Sequence, residues 1–100
     1  MKVKIKALRR TEYPDLMETY ELPMQAPCET VLGTTWISVD GQKPEGLCNE
    51  AWSCMKKFVE ELAAGGGHFF GDWMKNPHAA MVSCNDGFRP VTYLVETVEE

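Results

Sequence analysis

Apolar and polar residues alternate at the start of the chain, where Val3, Ile5 and Ala7 are interleaved with Lys2, Lys4 and Lys6. A period of two sends successive side chains to opposite faces, so this segment predicts a strand with one buried and one wetted face. Asp15 to Leu22 is bracketed by Pro14 and Pro23 and predicts a helical piece of a couple of turns. From Glu29 to Val39 the residues Val31, Thr34, Thr35, Trp36, Ile37 and Val39 gather around Gly33, and Asp40-Gly41 follows, which predicts a second strand and a turn. The period then changes. Ala51, Trp52, Met55, Phe58, Val59 and Leu62 recur at helical spacing, with Asn49 placed to cap the free amides and Gly65-Gly66-Gly67 placed to stop the helix. Ala80 to Cys84 and Val91 to Val98 return to a strand pattern. Asn85-Asp86-Gly87-Phe88 between them tolerates positive φ, so the pair predicts an antiparallel hairpin.

These elements define an α+β fold: a small, mainly antiparallel sheet of about four strands with one principal amphipathic helix packed on one face. The chain has 100 residues, the size of one domain, so residues 1–100 are read as a single unit. No segment repeats at a fixed period and none is low in complexity, which excludes a solenoid and an internal linker. Hydrophobic residues make up 44% and charged residues 25%, a balance that buries a core and excludes intrinsic disorder.

Charge narrows the partners. The formal net charge is −5, so nucleic acid meets repulsion instead of the counterion release that drives its binding. The basic residues Lys2, Lys4, Lys6, Arg9 and Arg10 read as the solvent face and end of the first strand. The opening Met-Lys-Val-Lys-Ile-Lys lacks the apolar stretch of a secretory signal, and no window approaches the length of a membrane span. A cytoplasmic protein without membrane contact is expected. In a reducing compartment Cys28, Cys48, Cys54 and Cys84 are thiols or ligands before they are a disulfide framework, and no Cys-x-x-Cys pair occurs among them.

Cys28 follows Ala26-Pro27 in a loop, Cys48 precedes the helix, and Cys84 ends a strand at the hairpin turn. All three lie at the edges of elements, where sites are built. A helix N-terminus carries partial positive charge that favours the thiolate required by metals and electrophiles, which makes Cys48 the leading candidate. Cys28, Cys48 and Cys84 meeting His68 or His78 would suit tetrahedral zinc, and the three sulfurs alone a softer metal or an iron cluster. The competing reading is packing, because free cysteine usually behaves as a small buried hydrophobe, and Cys54 on the helix is read that way.

Arg89 offers a fork for a carboxylate or phosphate, with a structural pairing to Glu45, Glu50 or Glu61 as the alternative, while Asp86 can bond the turn's own backbone. The three glycines follow a helix, whereas phosphate cradles lead into one, so they read as a stop. His68 and His78 are candidate bases or ligands set against ordinary loop residues. The loop of His68, Phe69, Phe70, Trp73 and Met74 is expected to fold over the core or cover a pocket. Together with Trp36, Trp52, Phe88 and Tyr93 it supplies more aromatic surface than one helix on a small sheet covers, which points to a pocket wall or a homo-oligomer interface. No serine lies in an elbow motif and no carboxylate pair stands at a diagnostic spacing, so support for an enzyme is thin.

Pro44-Glu45-Gly46-Leu47-Cys48, Ala51-Trp52, Trp73-Met74 and the run from Cys84 to Val91 carry a resemblance. The chain resembles a family of small uncharacterised prokaryotic proteins, a repeat family in which some members look like tandem copies of this unit. The Cys-x-Asp-Gly-x-Arg-Pro-Val run is its most specific part. The resemblance implies a fold-sized unit and no particular reaction, substrate or cofactor. It also implies cysteines at the positions of Cys28, Cys48 and Cys84, the last inside a doubled cysteine, where this chain has Ser83.

Three functions follow as expectations. The first is an intracellular binding domain for a metal ion, zinc or iron, or a small anionic ligand. Its site would combine Cys48, Cys84, Arg89, His68 and Trp73, with Cys28, Cys48 and Cys84 as the metal set. The second is a homo-oligomeric interaction module without chemistry, and the third a small enzyme using a thiolate.

Overall fold

The computed structural model describes residues 1–23 and 30–98. In chain order the elements are β1 (Lys2–Arg10), α1 (Pro14–Tyr20), β2 (Thr35–Val39), α2 (Asn49–Ala63), β3 (Ala79–Ser83) and β4 (Val91–Thr97). The strands form one sheet in the order β2-β1-β4-β3, and every neighbouring pair is antiparallel. The first and last strands therefore pair at its centre, and α2 lies across one face, the α+β arrangement that the alternating pattern predicts.

Register shows why the helix takes that face. Ile5 stands opposite Val95 and Trp36, and Val95 opposite Ala80, so one side of the pleat carries an apolar row. Val3, Ile5, Ala7, Val82, Tyr93 and Val95 pack there against Ala51, Met55, Val59 and Leu62 of α2. The helix residues sit three or four apart and share one stripe. The other face keeps Lys4 against Glu96, with Nζ 3.1 Å from the carboxylate.

Several boundaries differ from expectation, those of β3 and β4 by a single residue. β2 is shorter than the segment from Glu29 because residues 31–34 form a turn: Gly33, at φ +89°, donates its amide to the Ala7 carbonyl at 2.7 Å. Cys48, not Asn49, is the N-cap of α2. The Trp52 amide reaches the Cys48 carbonyl at 2.9 Å, which closes the first turn one residue early and leaves the cap without a side-chain bond. The short helix α1 ends at Tyr20 and buries no residue.

The glycine stop is a Schellman turn. Gly65, at φ +90°, donates to Leu62 at 3.0 Å, and Gly66 donates to Glu61 at 2.8 Å, so the last helical carbonyls are satisfied. The following loop does fold back: Phe69 is buried and meets Phe58 edge-on at 5.1 Å. Trp73 in the same loop stays 86% exposed.

Candidate functional site

α2 has 15 residues and is about 22 Å long, so its ends are separate places. At its N-terminal end a cavity of about 310 Å³ opens between the first helical turn and the β3–β4 hairpin. Cys48, Glu50, Ala51, Cys84, Asn85, Asp86 and Tyr93 line it. Cys48 is exposed and Cys84 half-buried, and both are free thiols. The convergence follows from topology: β3 runs beside β4 and ends next to the helix start, so positions 48 and 84 meet at one mouth. Cys48 also lines a neighbouring open groove of about 780 Å³ with Thr34, Trp36, Lys43 and Leu47.

Hydrogen bonds hold the mouth in shape. The Cys84 amide donates to the Val91 carbonyl at 3.0 Å, and the Val91 amide donates back to the Cys84 Sγ at 3.2 Å, which fixes the sulfur at the top of the hairpin. Asn85 Nδ2 donates to Glu50 Oε2 at 2.9 Å and ties the hairpin to the helix. Asp86 Oδ1 accepts the amides of Phe88 at 2.8 Å and Arg89 at 3.0 Å, an Asx turn of the kind expected from the sequence. The Arg89 amide, and then the Phe88 amide and the nearby Arg89 and Arg10 charges, hold the Asp86 carboxyl below the usual carboxylate value against the opposing effect of burial.

Arg89 faces elsewhere. Its guanidinium takes Glu21 in a bidentate pair, with Nη1 2.9 Å from Oε2 and Nη2 2.8 Å from Oε1. Both side chains are largely buried, and the hydrogen bond to Glu21 raises the arginine's affinity for its proton further. Glu21 was not among the expected partners Glu45, Glu50 and Glu61. It lies 68 residues from Arg89, in a stretch whose helical pattern carries no sign of such a contact.

His68 and Trp73 are not brought to the cysteine cavity. They belong to the loop beyond the C-terminal end of α2, where the His68 and His78 rings lie 6.1 Å apart. Cys28 lies outside the described residues. Cys54 packs half-buried against the core, the role its helical position suggests. Among the described residues no three His, Cys, Asp or Glu side chains gather as a metal-holding group. No described helix is long and apolar enough to cross a membrane.

The cavity can offer two sulfurs, a phenol wall and carboxylates at its rim, with no lysine or arginine in its lining. Such a donor set favours a soft or electropositive centre over an anion. No family model, no curated protein and no solved structure matches the chain.

Proposed function

We propose that the domain is a binding protein whose site is the cavity between the start of α2 and the β3–β4 hairpin, and whose ligand carries a thiophilic centre. A soft metal ion is its simplest form. The observation that carries this reading is that Cys48 and Cys84, from opposite halves of the chain, line one cavity. Thiolates select soft ions such as monovalent copper, which accepts as few as two sulfur ligands, as well as zinc and iron clusters. The anionic-ligand alternative loses support because Arg89 is engaged by Glu21 and stands outside the lining.

The test is metal content and stoichiometry under reducing conditions. Wild-type protein should hold about one equivalent of copper(I), and Cys48→Ser or Cys84→Ser should each abolish that stoichiometric binding with the fold unchanged. Undiminished binding by either variant, or none by the wild type, would remove the proposal.

A second reading rests on the far end of the molecule. Trp73 is 86% exposed, and Phe70, three residues before it in the same loop, is exposed as well. Exposed aromatic side chains are what a self-associating module would present. It requires a concentration-dependent oligomer that Trp73→Ala dissociates.

A further inference from the structure

We infer that His68 and His78 form a two-nitrogen chelate for a divalent late transition-metal ion at the C-terminal end of α2. The rings stand 6.1 Å apart, centroid to centroid, with planes at 71°. Two imidazoles sharing an ion through nitrogens at about 2.0–2.1 Å have centroids roughly 5–6.5 Å apart, so the observed spacing fits.

The hydrogen bonds decide which nitrogens are available. His68 Nδ1 lies 2.7 Å from Asp72 Oδ1, and His78 Nδ1 lies 3.2 Å from the Gly66 carbonyl oxygen. A carboxylate and a carbonyl only accept, so each Nδ1 carries the proton and each neutral ring keeps its lone pair on Nε2. Neither Nε2 has a hydrogen-bond partner among the described residues. Metal-binding histidines are oriented in this way, by a carboxylate or backbone oxygen behind the ring.

The backbone sets the pair. A Cβ on Gly67 would collide with the Pro77 carbonyl, and only that close approach lets the His68 amide donate to Pro77 at 2.7 Å. On the other side the His78 amide is held by Asn76 Oδ1 at 2.9 Å. His68, Phe70 and Asp72 all adopt left-handed φ of 60°, 56° and 67°, a strained run that keeps Asp72 behind the His68 ring. His78 and Asn76 line a cavity of about 250 Å³ with Thr97, whose buried Oγ1 has no partner among the described residues. His68 does not line that space, so the water ligands that would complete an ion held by the two nitrogens come from the solvent around the exposed rings. Imidazole donors select copper, nickel and zinc, with divalent copper the tightest.

The inference is independent of the cysteine cavity, and nickel(II) tests it because it does not oxidise thiols. Wild-type protein titrated at neutral pH should take up about one equivalent of nickel(II), and His68→Gln or His78→Gln should each weaken binding about tenfold or more. The spectrum should lack a thiolate-to-nickel band. Asp72→Ala should weaken binding less, with Asp72→Asn restoring it because its amide oxygen still accepts from Nδ1. All four changes are at exposed positions, and matching circular dichroism checks that the fold persists. No nickel uptake by the wild type, undiminished affinity in either histidine variant, or a thiolate band that disappears with Cys48→Ser would overturn the inference.

Discussion

The two ends of α2 are built on opposite principles. At its start two thiols 36 positions apart, 84 less 48, line one cavity because the start of α2 packs beside the β3–β4 hairpin. At its end two imidazoles ten positions apart, 78 less 68, are brought together by a Schellman turn and a close glycine contact. One end depends on the sheet and is walled by Tyr93 of the core. The other depends on a strained loop and sits largely in solvent. The difference teaches that a fold can bring the same kind of chemistry together by long-range register or by local backbone geometry, and that each route fails to a different mutation.

Tyr93→Ala gives the largest expected effect. Tyr93 is fully buried, walls the cysteine cavity and meets Trp36 at 6.1 Å. Truncating a core aromatic costs about 3–5 kcal/mol, so denaturant melts should show most of the stability gone. Gly67→Ala comes next. It should cost about 1–3 kcal/mol through the clash with Pro77 and should separate the histidines, so nickel uptake falls with stability. A neutral outcome would mean that the close approach does not hold that end.

Asp86→Ala removes the acceptor of two turn amides and should cost about 1 kcal/mol. Its pH dependence has a definite sign. The folded carboxyl titrates below the ordinary value of 3.8, so its contribution is present above that pH and is lost as pH falls below it through the folded-state value. Asp86→Asn should flatten that acid limb of the stability profile. Trp73→Ala is the smallest, within about 0.5 kcal/mol in a melt, because the side chain stands in solvent. Sedimentation of the same variant decides whether the exposed aromatic loop joins two copies.

The elements were legible in the sequence because each is a local periodicity. The alternation at Val3, Ile5 and Ala7 and the helical stripe from Ala51 to Leu62 both face the core as their spacing requires. The sheet order was not legible, since the pairing of β1 with β4 joins the two ends of the chain and leaves no local mark. The candidate site divided along the same line. Cys48 and Cys84 stood out as edge positions, but their shared cavity follows from strand pairing that spacing alone does not reveal. Arg89 was marked by its chemistry, and Glu21 by nothing, because a bidentate pair across 68 residues depends wholly on tertiary placement. His68 and His78 were visible as residues, while their proximity rests on Gly67 against Pro77, a contact no motif announces.

The central claim is that Cys48 and Cys84 serve one ligand, and the most direct measurement is copper(I) stoichiometry under reducing conditions in the wild type and in Cys48→Ser and Cys84→Ser. About one equivalent in the wild type and none in either variant, with unchanged circular dichroism, is the predicted result. Undiminished binding in either variant, or no binding by the wild type, would contradict it and leave the two cysteines as packing at a hairpin's edge.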